Sequence, residues 1–403
     1  MDKNFLMSCR IDFKTQRLGI LALAVGSFAI GTAEFVAIGL QPEMAHSSHV
    51  SISIAGQYIS SYALGVVIGA PILAVVTTKL PYKAVLIGLM FFYALANIAS
   101  AFFSDFNLLV ILRFISGLPH GIYFGIATMV ASSMVERNEQ AKAVGNVMLG
   151  LTIAIVIGAP GATWIGQFVG WQVAFLLVGV ISLVCCVFIW KFLPSVSNIS
   201  KTSVFNELSV LKKKEVWFLL AMVSIGASGL FSVFTYIKST LLYVSNVSLK
   251  WVPFIMPLMG LGMVVGNILG PKFAVKIGSS ATIFFTMLWS TFVFFLFFFL
   301  SYNPLTAALG CLLIGTSFAS MPSIQTKIIN IAMPAQMLAS ALMQSAFNIA
   351  NALGAEFGAC ILKLGYSYEY TAILGGILTL CGLLIFCFLW YTEKYNQHFS
   401  NDL

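Results

Sequence analysis

Ala281-Thr-Ile-Phe-Phe-Thr-Met-Leu-Trp-Ser-Thr-Phe-Val-Phe-Phe-Leu-Phe-Phe-Phe-Leu300 contains no charged residue and no break in its apolar character. As a helix rising 1.5 Å per residue it is about 30 Å long, the thickness of a bilayer's hydrocarbon core. A strand of a membrane barrel would instead alternate apolar and polar residues over about ten positions. Only helices and closed barrels satisfy their backbone groups within lipid, so this stretch reads as a transmembrane helix.

Outward from that stretch the same pattern recurs. Hydrophobic residues make up 60% of the 403-residue chain and charged residues 8%, where a soluble domain carries about 25% charged. The mean hydropathy is +0.98. A soluble fold of this length has too little interior to hide so much apolar surface. Twelve spans are predicted, over 17–40, 54–77, 83–103, 107–132, 140–166, 171–193, 215–241, 251–271, 280–301, 304–328, 337–362 and 369–391. The fold class is an all-α membrane protein with twelve transmembrane helices in two pseudo-symmetric six-helix lobes, and its principal partner is the lipid bilayer.

The formal charge of +8 does not indicate nucleic acid, because the basic residues do not gather with aromatics into a binding face. They occupy short loops. Lys3, Arg10, Lys14 and Arg17, then Lys79, Lys83, Arg137, Lys142, Lys191, Lys201, Lys212, Lys213, Lys214, Lys272, Lys276, Lys327 and Lys394, fall on one side of the predicted spans. Lys250 and Lys363 fall on the other. The positive-inside rule then places both termini in the cytoplasm of a multi-pass inner-membrane protein. The first run, from near Leu18, is long enough to remain as a span, and no small-residue cleavage site follows it. The seven cysteines, Cys9 and Cys185 among them, lack metal-ligand spacing. No cofactor and no metal are expected.

The polar stretch 194–214 divides the chain into a lobe over 1–193 and a lobe over 215–403. At an offset of 196, Gln140 matches Gln336, Ala143 matches Ala339, Ile153-Ala154 matches Ile349-Ala350, and Gly158-Ala159 matches Gly354-Ala355. Span five thus corresponds to span eleven, the kind of internal duplication many secondary transporters carry.

Ionisable residues inside spans are costly in hydrocarbon and point to function. Glu34 in span one is a carboxyl withdrawn from water, where charge is disfavoured, and so is a candidate proton carrier. Its alternative is a helix-pairing hydrogen bond. Arg113, Gly117 and His120 in span four share one helix face at i, i+4 and i+7. Arg113 could bias a nearby acid, bind a polar substrate or lock two helices. His120 titrates near neutrality when unperturbed or serves as a packing residue. Lys238 in span seven either meets an anionic substrate or snorkels outward. On span eleven, Gln344, Asn348 and Asn351 form a polar stripe suited to a cavity wall or to helix pairing, and Glu356 lies off its centre. Met256, Met259, Met263 and Asn267 recur at helical spacing on span eight, and methionine suits adaptable pockets. In span five, Gly150, Gly158, Pro160 and Gly161 suggest a bent, closely packed helix. The expected substrate-binding set is Asn348, Asn351, Gln344, Lys238 and Met263.

There is no P-loop, no His-Glu-x-x-His and no haem-attachment motif, so an enzyme is not expected. The segments Gly31-Thr-Ala-Glu34-Phe, Arg113-Phe-Ile-Ser-Gly117 and Gly158-Ala-Pro160-Gly161 resemble motifs of the drug:proton antiporter subgroup of the major facilitator superfamily. Tyr62-Ala-Leu-Gly65, Gly117-Leu-Pro-His120-Gly121, Tyr236-Ile-Lys238 and Gly260-Leu-Gly262-Met-Val-Val-Gly266-Asn267 are similar to its bacterial arabinose-inducible and sugar- or nucleoside-efflux members. The resemblance covers about residues 15 to 392. It implies a two-lobed bundle with an alternately opening cavity, a monomer, and proton-driven export with Glu34 and Arg113 as the coupling pair. In this family the loop between spans two and three reads Gly-x-x-x-Asp-Arg-x-Gly-Arg-Arg. Here that place reads Ala74-Val-Val-Thr77-Thr78-Lys79-Leu80-Pro81-Tyr82-Lys83, with Thr78 for the Asp, which implies a weakened latch between lobes. The expected function is proton-coupled efflux of a small organic solute such as a sugar, nucleoside or drug. The rivals are an importer or facilitator of the same fold and a non-transporting sensor.

Overall fold

The computed structural model describes residues 12–50, 52–194, 204–248, 250–333 and 335–401. Lys3, Cys9, Arg10 and Lys201 therefore lie outside the described residues. Among those described, all regular structure is helical. Twelve helices are long and apolar enough to cross a membrane: span 1 Lys14–Gly39, span 2 Gln57–Thr77, span 3 Tyr82–Ser100, span 4 Phe106–Ser133, span 5 Arg137–Val169, span 6 Trp171–Phe192, span 7 Lys214–Val244, span 8 Phe254–Ile277, span 9 Ser279–Leu300, span 10 Pro304–Ile331, span 11 Gln336–Lys363 and span 12 Tyr370–Glu393.

Local chemistry sets the ends. Asp105 caps span 4 by accepting the Leu108 N–H at 2.9 Å, and Asn303 caps span 10 by accepting that of Leu305 at 3.0 Å, with Pro304 in the first turn. The turns after spans 5 and 11 each pass through a glycine at positive φ, Gly170 at 124° and Gly365 at 89°, where a Cβ would be strained. On span 9, the helix that opened the sequence reading, Phe285, Leu288, Trp289, Phe292 and Phe299 are exposed while Ile283, Met287, Phe294 and Phe297 are buried. The exposed set follows helical periodicity and forms the lipid-facing stripe.

Spans 1–6 pack mainly on one another, as do spans 7–12, and the pairing repeats after six. Span 2 pairs with 4 as 8 pairs with 10, 3 with 6 as 9 with 12, 1 with 5 as 7 with 11, and 1 with 6 as 7 with 12. The closest crossings repeat as well. A Cβ on Gly65 would meet the Phe114 carbonyl oxygen at 2.2 Å, and one on Gly262 would meet that of Leu312 at 2.0 Å.

Between the two groups, span 11 packs on spans 2 and 4, and span 5 packs on spans 8 and 10. With an even number of spans, both chain ends lie on one face, here termed the terminal face. Several bonds join the two groups in the half of the bundle nearest that face. Gln325 Nε2 donates to Thr128 Oγ1 at 3.1 Å, and Asn267 Nδ2 donates to the Gly145 carbonyl at 2.8 Å. Asn330 Nδ2 donates to Gln140 Oε1 at 3.4 Å, and Thr77 Oγ1 donates to Met337 Sδ at 3.9 Å.

Span 5 contains a π-helical turn, Ala154–Gly158, that ends two residues before Pro160. The proline has no N–H to give, and the widened turn absorbs the gap in the ladder. Pro160 and Gly161 are themselves exposed. The polar connection 194–214 is in part ordered: Val204–Leu208 and Ser209–Lys212 form two short helical pieces docked beneath the bundle.

Candidate functional site

Glu34 is half-buried near the middle of the bundle, at a cavity lined also by Phe35, Leu151, Ile155, Leu230, Phe231, Phe234, Met263, Phe318 and Phe347. Spans 1, 5, 7, 8, 10 and 11 all contribute, so the cavity lies where the two groups of six meet. Its volume of about 20 Å³ has room for roughly one water molecule. The aromatic wall is packed ring to ring: Phe35 on Phe234 at 5.9 Å, Phe231 on Phe347 at 5.0 Å and Phe318 on Phe347 at 6.0 Å. Glu34 is the one acid in this lining. Among the described residues its carboxylate has no hydrogen bond and no ion pair within 4.0 Å.

Arg113 is 1% exposed, so its guanidinium does not snorkel to either interface. Nη2 donates to the Ala33 carbonyl at 3.4 Å, one residue from Glu34, and Nε donates to the Tyr58 carbonyl at 3.4 Å. The guanidinium carbon stands 4.4 Å from the Tyr62 ring centre and 5.4 Å from that of Phe175. Desolvated cation–π contacts of this kind contribute about 2 kcal/mol. Nη1 has no partner. The expected pair is thus brought together through the field rather than through contact: each charge acts on the other without a salt bridge.

His120 is buried, and its Nδ1 is hydrogen-bonded to the Tyr62 hydroxyl at 2.9 Å. That hydroxyl also meets the Tyr93 hydroxyl at 3.2 Å, and Tyr93 donates to the Ile30 carbonyl at 3.4 Å. Tyr62 therefore holds Arg113 with its ring face and His120 with its hydroxyl. Sequence reasoning passed over Tyr62 as a site residue and missed Tyr93. The available signal was that a phenol buried in lipid needs a partner for its hydroxyl. Tyr62→Phe keeps the ring over Arg113, removes the hydroxyl partner of His120 Nδ1 and leaves Tyr93 only its bond to the Ile30 carbonyl. It is expected to lower stability by about 1–3 kcal/mol, read from thermal unfolding in detergent, and Tyr62→Leu should cost clearly more. Equal losses in the two variants would remove the ring from this account.

The substrate-binding set divides. Met263, 4% exposed, lines the cavity with Glu34. Gln344 and Asn348 are buried on span 11 beside Phe347. Asn348 Nδ2 donates to the Gln344 carbonyl at 3.1 Å, and its Oδ1 has no partner among the described residues. Asn351 is half-buried. Lys238 is exposed on span 7, and Glu356 is exposed 4.0 Å from Lys363; neither joins the cavity lining. Asn267 closes the bundle against span 5. Gly150 and Gly158 pack span 5 tightly on span 1: a Cβ would meet the Ala24 carbonyl oxygen at 2.0 Å and Thr32 Oγ1 at 2.3 Å respectively. Pro160 and Gly161 have no part in that contact. The five phenylalanines of the cavity were not singled out by sequence, where they are lost among 35.

A family model described as Major Facilitator Superfamily matches residues 23–337. The chain is 34% identical over 367 residues to the inner membrane transport protein YdhP of Escherichia coli (strain K12), covering 91% of this chain and 94% of that one. It is 25% identical to the Probable sugar efflux transporter of Pasteurella multocida (strain Pm70), covering 95% and 94%. Its fold is similar to the crystal structure of the human organic anion transporter MFSD10 (TETRAN), with a TM-score of 0.74 at 16% identity, covering 92% of this chain and 99% of that one.

Proposed function

This chain belongs to the Major Facilitator Superfamily, and from that premise we propose that it exports a small organic solute in exchange for protons by alternating access. The observation that carries the proposal is the Glu34 carboxyl in a phenylalanine-walled cavity at the meeting of the two groups of spans, with the buried Arg113 cation beside it. The moving units are the lobes over 1–193 and 215–403, joined by 194–214. The terminal face is cytoplasmic, following the lysines and arginines on its loops, and the membrane is the bacterial inner membrane. The unit is a monomer.

In this reading a proton from outside neutralises Glu34 and solute leaves outward. Reopening of the terminal face then releases the proton inward. Arg113 lies in the same lobe as Glu34 and stays beside it as a fixed positive charge. What lobe motion changes is the cover that Phe231, Phe234, Phe318 and Phe347 of the other lobe give the carboxyl, and with it how strongly burial disfavours the charge. His120, Tyr62 and Tyr93 hold Arg113 in place. Met263, Gln344, Asn348 and Asn351 contact solute as the cavity opens. The lining supports a solute with an apolar or aromatic face. A nucleoside or amphipathic drug suits such a wall better than a free sugar, whose hydroxyls need several polar partners when withdrawn from water. The name of the 25% identical relative supports the outward direction.

The test is purified protein in vesicles containing a pH-sensitive dye, challenged with sugars, nucleosides and amphipathic cations. Proton movement triggered by one class supports antiport and names the class. Solute exchange without proton movement would move the assignment to a facilitator, and binding without flux to a sensor.

A further inference from the structure

Glu207 belongs to the connection between the two groups of spans, where the sequence predicted only a polar linker. Its side chain is 1% exposed. Oε2 accepts the backbone N–H of Leu338 at 2.9 Å. Leu338 is the third residue of span 11, so the bond satisfies one of the N–H groups that a helix start leaves without an internal partner. The carboxylate also sits at the positive end of the helix dipole. Lys213, in the same linker, donates to the carbonyls of Ile331 at 2.9 Å and Met333 at 2.6 Å at the end of span 10. The linker thus sets an anion on the start of span 11 and a cation on the end of span 10, each matching the dipole it faces.

Glu207 also reaches the first lobe. Its short helix, Val204–Leu208, packs on span 2 as well as on span 11. Its charge acts on Tyr82, the first residue of span 3. Thr77, at the end of span 2, touches Met337 beside Leu338. The junction lies on the terminal face, where the bonds between lobes are made. Position 78, in the loop between spans 2 and 3, holds a threonine and no acid.

We propose that Glu207 is a positioning residue of the transport cycle. Its carboxylate bonds the start of span 11 while its short helix packs on span 2. Together they hold the terminal face shut, and the linker supplies an acid where the loop at Thr78 has none. When that face opens, spans 2 and 11 part. The short helix Val204–Leu208 packs on both, so as they part it cannot keep both its seat on span 2 and the Glu207 bond to Leu338. Closure is therefore favoured by contacts that the open state must give up. This proposal needs two alternating faces and does not need Glu34 to carry a proton.

The full chain, with its seven native cysteines replaced by serine, would carry spin labels at Lys79→Cys and Met333→Cys, both exposed. Distances between them would be read by electron–electron resonance in lipid discs, with no solute and no pH gradient. Glu207→Gln keeps the size and an acceptor oxygen and removes the charge. It is expected to raise the ratio of separated to closed distances roughly tenfold, the effect of losing one charge-assisted bond. Glu207→Asp, which keeps the charge with a shorter reach, should give a smaller rise, and it carries the test if Glu207→Gln does not fold. An unchanged distribution in a folded variant would overturn the proposal. So would equal shifts in both variants, which would mean that filling rather than charge matters. A lower melting temperature with unchanged distances would reduce Glu207 to a structural cap.

Discussion

Glu34→Gln is expected to abolish proton movement in loaded vesicles, down to the level of vesicles without protein, while solute-for-solute exchange persists. Glutamine has nearly the same shape and cannot load or release a proton in the physiological range. No other acid lines the cavity, and Glu356, the second in-span acid, is exposed and set against Lys363, so no substitute carrier stands nearby. The fold should tolerate the change, because it removes a charge that has no ion pair and lies among phenylalanines, a place where a neutral group is no worse accommodated. A melting temperature close to that of the native protein is the expected control, because relief of the desolvated carboxylate is offset by the loss of its field on the buried Arg113. Persisting proton movement in a folded Glu34→Gln protein would take the coupling role away from this residue.

Gly150→Ala is expected to be among the most damaging single-methyl additions to the chain, and Gly161→Ala, eleven residues on in the same span, among the mildest. A Cβ at Gly150 would stand 2.0 Å from the Ala24 carbonyl oxygen and 2.9 Å from the Phe28 nitrogen. Both are backbone atoms of span 1, which cannot turn aside as a side chain would. Overpacking typically costs about 1–3 kcal/mol, and a clash against backbone belongs at or above the top of that range. At Gly161 nothing lies within 4 Å of the added carbon. There the change should stabilise by about 0.5–1 kcal/mol, the ordinary gain of alanine over glycine inside a helix. Thermal unfolding of the two variants in detergent would measure both. Similar losses in the two would mean that span 5 is governed by something other than its crossing with span 1.

The fold was legible because lipid imposes a coarse rule on sequence. Long uncharged runs had to be spans, and their predicted limits fall within a few residues of the helices for most of the twelve. The offset of 196 was legible too, and the structure gives it a physical content that letter matching could not. Gly158 crosses at Thr32, Gly354 crosses at Ser228, and those two partners are themselves 196 apart. The site was half legible. Glu34 and Arg113 stood out because charge in hydrocarbon demands a reason, and Met263 through its spacing. Lys238 and Glu356 drew the same attention and stand no nearer a span end than Glu34 does, yet both lie on exposed helix faces, which charge within a span does not by itself reveal. Tyr93 and the cavity phenylalanines are apolar letters among apolar letters, and only the packing separates a wall from a core. Glu207 was hidden for another reason: its partner, Leu338, is 131 residues away, and a carboxylate in a polar linker reads as solvated until the helix start it caps is in view.

The bonds that shut the terminal face, Gln325 to Thr128, Asn267 to Gly145, Asn330 to Gln140 and Thr77 to Met337, join amides, hydroxyls, a carbonyl and a thioether. None carries net charge. The Glu207 carboxylate beside them is buried, and Glu139 and the exposed Lys142, next to Gln140, are paired with each other within span 5 and not across the two groups. Dissolved ions weaken attractions between exposed charges over a distance of about 10 Å at 0.1 M, and they have little to act on here. The balance between the two faces should then be indifferent to ionic strength. A salt titration of the labelled protein from dilute buffer to about 1 M should give a flat line, so that the same gate works unaltered in media of very different salinity.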